Sequence, residues 1–135
     1  MSKIDHIGIA VKSIEEAAQL YTQGLGLELE RVETVSEQGV KVGFLPLGES
    51  EIELLEPLEA TSTVAQFLEK HGEGLHHICV QVPDIRAAMA RLREQGARLL
   101  SEELSQGAGG SLVAFVHPRS ANGVLLELCQ HSARR

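Results

Sequence analysis

The sequence predicts an α+β fold assembled from two paired βαβββ modules. Three observations carry that reading. Residues near the start reappear about 71 positions later with the same order of apolar and polar side chains. Each copy opens on a strand of period-two hydrophobicity and passes into a helix with apolar residues at helical spacing. The length of 135 residues, 43% of them hydrophobic, suits one compact domain or two small fused modules with a real core.

The first strand reads "DHIGIAV": Ile7, Ile9 and Val11 fall on one face, His6, Gly8 and Ala10 on the other. "SIEE" from Ser13 to Glu16 is a capping-box pattern, in which the serine oxygen takes the Glu16 N–H. Ile14, Ala17, Ala18 and Tyr21 continue as a helical stripe, which glycines at 24 and 26 stop. Strands follow in "VGFLPLGESEIELLEP". "TSTVAQFLEKHG" reads as a connecting helix, with Val64, Phe67 and Leu68 on one side and Gly72 as its end. The second copy begins at His76. Ile78, Val80 and Val82 point one way, His77, Cys79 and Gln81 the other. Asp84 is the N-cap, Ile85, Ala88, Met89 and Leu92 form the stripe, and Gly96 ends it. Strands return in "VAFVHPRSANGVLLELCQ". Residues 1–58 are expected as the first module, 59–74 as the linker helix and 75–131 as the second module, together one domain. Neither half buries its sheet comfortably alone, so the two sheets are expected to pack or curl together with the helices outside.

Composition narrows the function. Twelve basic against nineteen acidic residues give a net charge of −7, which argues against nucleic acid as a partner. No apolar run approaches the ~18 residues of a membrane span, and nothing at the N-terminus resembles a signal peptide. A membrane partner is therefore not expected, and a cytoplasmic location is. Cys79 and Cys129 sit in apolar strand-like runs and read as buried thiols in a reduced compartment. "GAGG" at 107–110 lacks the strand-then-helix context of a dinucleotide loop and reads as flexible. His71 ends the linker helix, and His131 falls in a frayed tail, "HSARR".

The repeat also tests the histidines. His77 has a twin at His6, whereas His76 has Asp5 at the matching place, so His76 reads as a strand-entry residue. Glu53 in "EIELLEP" is answered by Glu127 in "GVLLELC". A carboxylate inside an apolar strand is costly unless something pairs with it. His6, Glu53, His77 and Glu127 together offer two imidazoles and two carboxylates, a donor set suited to a divalent transition metal with coordination positions left for a substrate. The flanking Gly8, Ala10 and Cys79 are small and leave room above it.

The doubled module with histidine on its first strand and glutamate on its last resembles the vicinal oxygen chelate superfamily over nearly the whole chain, from Lys3 to about Gln130. "DHIGIAV", "EQGVKVGFL", "IELLEPL", "STVAQFLEKHGEGLHHICVQV" and "HPRSANGVLLEL" are most similar to the methylmalonyl-CoA epimerases within it. The resemblance implies a cupped, barrel-like mixed sheet and places the metal ligands on His6, Glu53, His77 and Glu127. It implies a divalent cation (Co2+ first, with Mn2+, Ni2+ or Zn2+ as others), an acyl-CoA substrate and a homodimer. The implied reaction interconverts (2R)- and (2S)-methylmalonyl-CoA by removal and return of the α-proton through a metal-stabilised enolate, with Glu127 as both ligand and catalytic base. Inversion asks for a second proton carrier. Some relatives carry glutamate where this chain has Val42, which leaves Glu37, Lys41 or a metal-bound water.

Two other readings belong to the same fold. A glyoxalase I type lyase shares the ligand set, although such enzymes tend to carry "DPDG" where this chain has "HPRSANG". A metal-free ligand-binding protein would be expected to lose a ligand in one half, and here all four stand.

Overall fold

The computed structural model of the chain describes residues 2–107 and 110–131. The glycine-rich loop at 107–110 therefore falls partly outside the described residues, as does the tail beyond His131. The element order is β1 (Lys3–Ala10), α1 (Ile14–Gln19), β2 (Arg31–Val35), β3 (Val40–Leu47), β4 (Ser50–Pro57), α2 (Thr63–His71), β5 (Gly74–Gln81), α3 (Ile85–Glu94), β6 (Ser105–Gln106), β7 (Leu112–Val116) and β8 (Leu126–Gln130). This is the α+β arrangement expected, strand, helix and three strands, written twice. Two compact units divide the chain: residues 6–76, and the segment through Asp5 together with the described chain from His77 onward.

In the first unit the strands lie in the order β2, β3, β4, β1. β1 runs parallel to β4, with Gly8 beside Glu53, and β4 runs antiparallel to β3, with Phe44 opposite Glu53. β2 flanks β3 antiparallel, with Arg31 opposite Phe44. A parallel β1–β4 pair needs a crossover, and α1 and the intervening strands supply it. Ser13 caps α1 as its sequence foretells, its Oγ accepting from the Glu16 N–H at 3.2 Å. The helix then loosens into a π-helical turn, Leu20–Gly24, and Gly26 leaves it at φ 74°. Val11, Ile14 and Ala18 pack on Leu45 and Leu54, with Ile9 and Ile52 against them. Gly43 permits this approach: a Cβ there would sit 2.9 Å from Ile14 Cγ2. One face of the sheet is thus spent on α1. His6, Gly8 and Ala10, which alternate with Ile7 and Ile9, belong to the other.

The second unit repeats the scheme. β5 runs parallel to β8, with Cys79 beside Glu127. β7 runs antiparallel to β8, with Phe115 opposite Glu127, and the two-residue β6 flanks β7. Asp84 caps α3 by accepting from the Ala87 N–H at 3.1 Å. Ile85, Ala88 and Met89 pack on Ala114 and Leu128, with Val80 and Val82 against them. Gly96 ends the run at φ 86°. α2 begins at its Ser62 cap and ends at Gly72, φ 77°.

Candidate active site

Alternation along β1 and β4 carries His6 and Glu53 to the sheet face opposite α1. Their approach follows from the register. Gly8 stands beside Glu53, and His6 lies two residues before it on the same face of β1. His6 Nδ1 lies 3.3 Å from Glu53 Oε2, and the two residues are 7% and 8% exposed. In the second unit His77 Nε2 lies 3.0 Å from Glu127 Oε1, at 6% and 7% exposure. Each glutamate sits across from a phenylalanine, Phe44 or Phe115. The Phe115 ring meets the His77 ring edge-on, with centroids 6.4 Å apart. The structure thus places all four expected residues on strands, buried, and joins them as two imidazole–carboxylate pairs, the first through Nδ1 of His6 and the second through Nε2 of His77. Near-complete burial of ionisable groups in apolar strands is tolerated only with close partners or a cation. Imidazole nitrogen beside carboxylate oxygen is the mixed donor chemistry that divalent transition metals take, so these residues fit such an ion.

The proposed second proton carriers fare differently. Lys41 lies one residue out of phase with Val42 and Phe44, on the opposite face, where its Nζ is 3.8 Å from Glu56 Oε2. Glu37 is exposed in the short 3₁₀ turn Ser36–Gln38, at the far end of β3 from Phe44 and Glu53. Val42 is buried and carries no proton to give. On the same face as Glu53, the Arg31 guanidinium lies 3.9 Å over the Phe44 ring, with its Nε 2.6 Å from Glu33 Oε2. The hydrogen bond to Glu33 holds Arg31 above the ordinary guanidinium range, although partial burial works against it.

Several other expectations are settled by position. His76 faces away from His77, and its ring meets Phe67 edge-on at 4.9 Å. His71 ends α2 and also touches Phe67. The frayed tail expected for His131 is a correction: its Nε2 lies 2.7 Å from Asp5 Oδ1, a contact that ties the end of β8 to the start of β1. Cys79 and Cys129 are buried as expected. The hydrogen bond its thiol shares with Cys129, followed by burial and the nearby Glu127 carboxylate, pushes Cys79 far above its ordinary range, so it stays protonated.

One matched pair escaped the sequence reading. The Ile14 N–H at the start of α1 donates to Glu56 Oε1 at 2.8 Å, and the Ile85 N–H at the start of α3 donates to Gln130 Oε1, also at 2.8 Å. Each acceptor stands three residues after the site glutamate of its own copy, which was the available signal. These bonds satisfy an orphan N–H of each helix and peg it to the strand that carries the carboxylate.

Comparison with known proteins defines the class. Residues 5–115 match the model of the Glyoxalase/Bleomycin resistance protein/Dioxygenase superfamily, and the chain belongs to that family. Its α+β fold is the vicinal oxygen chelate fold. Among its relatives, the ethylmalonyl-CoA/methylmalonyl-CoA epimerase of Cereibacter sphaeroides is 46% identical over 132 residues, covering 96% of this chain and 98% of that protein. The human mitochondrial methylmalonyl-CoA epimerase is 42% identical over 131 residues, covering 96% and 74%. A solved variant of Streptomyces coelicolor methylmalonyl-CoA epimerase, in complex with 2-nitronate-propionyl-CoA, superposes with a TM-score of 0.92 at 38% identity, covering 97% of this chain and 95% of that one.

Proposed function

We propose that the protein is an isomerase that interconverts (2R)- and (2S)-methylmalonyl-CoA, with His6, Glu53, His77 and Glu127 as the ligands of one divalent cation, Co2+ by preference. The observation that carries this reading is the doubled imidazole–carboxylate pair, buried to the same degree in both copies. The names of its relatives support the substrate.

The α-carbon of a 2-methylmalonyl thioester lies between a thioester carbonyl and a carboxylate. A bound divalent cation supplies Lewis acidity toward the carbonyl oxygen and so acidifies the α C–H. The chain's own residues then have to move one proton off one face of that carbon and deliver one to the other. Glu127 is the first carrier: its carboxylate takes the α-proton as general base, with the His77 ring 3.0 Å away holding its orientation. The second carrier is Glu53. It has the same setting as Glu127, an apolar strand, an imidazole at 3.3 Å and a phenylalanine opposite, whereas Lys41 faces away. A repeat that places one carboxylate in each copy meets the requirement of an epimerisation for two equivalent acid/base groups. Phe44 and Phe115 border these carboxylates with apolar surface, which keeps competing water from the carbanion.

A homodimer and a cytoplasmic location complete the proposal. Among the described residues no helix is long and apolar enough to cross a membrane. The test is deuterium wash-in at the α-carbon, run side by side on methylmalonyl-CoA and on a glutathione hemithioacetal. Exchange on the thioester alone supports the reading; exchange on the hemithioacetal alone replaces it with a lyase of the same fold.

A further inference from the structure

We infer that Asp5, Cys129 and His131 form a second metal site, with a nitrogen, oxygen and sulfur donor set that takes a borderline divalent cation such as Zn2+. The three side chains offer ligand atoms that all lie within 4.8 Å of one another. His131 Nε2 is 2.7 Å from Asp5 Oδ1 and 3.8 Å from Cys129 Sγ. Bonds of about 2.0 Å to nitrogen and oxygen and about 2.3 Å to sulfur set tetrahedral edges of about 3.3 Å for N···O and about 3.5 Å for N···S. The observed separations bracket those edges, and a small swing of the imidazole brings both into line.

The placement suits capture of an ion from solution. Cys129 is fixed at the base of the site by β8, paired with Val113 on β7 and Gln81 on β5, and is 1% exposed. Asp5 lies between, its side chain 16% exposed, and the His131 side chain at the mouth is 43% exposed. One coordination position therefore opens to solvent, which gives the ion an entry path. A half-exposed histidine–aspartate pair by itself contributes little to stability. The sulfur beside the same nitrogen adds nothing to that pair, but it stands where a third ligand must be. Sulfur also separates this site from the four-residue set proposed for catalysis, which offers nitrogen and oxygen alone.

The test is a titration of chelator-stripped full-length protein with Co2+ alone, followed by absorbance in the near ultraviolet, where sulfur-to-cobalt charge transfer appears and oxygen and nitrogen ligands give no such band. The expected result is a saturable charge-transfer band whose final amplitude corresponds to one sulfur-ligated Co2+ per chain, beside the Co2+ taken by the four-residue set, which gives no such band. It is lost in Cys129→Ser, and it needs at least about tenfold more Co2+ in His131→Ala and Asp5→Asn, the scale lost when even an outer-shell partner is removed. The last two changes lie at exposed or part-exposed positions, so they decide the matter even where the buried Cys129→Ser variant fails to fold. His6→Ala keeps the band, because that residue belongs to the other set. Absence of the band in the unaltered protein at saturating Co2+, or an undiminished band in both His131→Ala and Asp5→Asn, overturns the inference. Neither result bears on proton exchange, which reports the epimerase reading separately.

Discussion

The two units build the same polar pair in different surroundings. In the first, His6 and Glu53 are accompanied by Gly8 and Ala10, and the sheet extends through a five-residue β2. In the second, His77 and Glu127 are accompanied by Cys79, Gln81 and Cys129, and the outer strand shrinks to the two residues of β6. The turn between the inner strands also differs. Gly48 and Glu49 suffice in the first copy, whereas the second uses a longer loop with a 3₁₀ turn at Pro118–Ser120, where the His117 ring accepts from the Arg119 N–H. Packing residues, loops and even the capping side chains (Ser13 against Asp84, Glu56 against Gln130) have drifted apart between the copies; the imidazole, the carboxylate and the phenylalanine opposite have not. What the copies share is the set of residues on which the proposed pair of opposed proton transfers rests.

The comparison breaks most visibly at the carboxylates. Glu127→Gln and Glu53→Gln are each expected to lower epimerisation by about 10²–10⁴-fold, the usual contribution of a general acid or base. The two variants should differ in stereochemistry. Each retains solvent-deuterium exchange into one epimer of methylmalonyl-CoA, and the epimer is opposite in the two. Proton NMR of enantiopure thioester in D2O reads this directly, and equal exchange into both epimers by either variant removes that residue from proton transfer.

The phenylalanines sharpen the comparison through stability. Phe44 is 1% exposed and Phe115 only half-buried. Phe44→Ala is therefore expected to destabilise by about 3–5 kcal/mol, as full-core truncations do. Phe115→Ala should fall short of that range, and urea denaturation of the two variants measures the gap. Smaller still are the helix pegs. Glu56→Ala and Gln130→Ala each remove an acceptor from one helix-start N–H and should lower stability by about 1 kcal/mol, near-equal in the two copies. A large inequality in chemical denaturation midpoints would show that the copies do not share this device.

Much of this architecture was legible in the sequence because its signals are local or repeated. Ser13 and Asp84 announce their caps, and the glycines at 26, 72 and 96 mark helix ends where a positive φ is needed. Duplication singled out His6, Glu53, His77 and Glu127, because both polar members recur at matching places in otherwise apolar strands, where burial without a partner is costly. Where Lys41, one of the open possibilities for the second proton carrier, would point was already legible in the alternation of β3: a residue one place from Val42 points to the other face. The bond between Asp5 and His131 was not legible, because its partners lie 126 residues apart and the repeat does not pair them with each other. The pegs at Glu56 and Gln130 were hidden by a change of residue type, glutamate in one copy and glutamine in the other, although both offer the same carbonyl-type oxygen.

The central claim is that two imidazoles and two carboxylates, one pair from each copy, hold the cation that makes an α C–H acidic. The most direct measurement is deuterium wash-in at the α-carbon of methylmalonyl-CoA by chelator-stripped protein, before and after addition of Co2+ or Mn2+. Loss of exchange in the stripped protein and its return with the added ion is the predicted result. Exchange at an undiminished rate without the ion, in protein shown by elemental analysis to hold none, would contradict it.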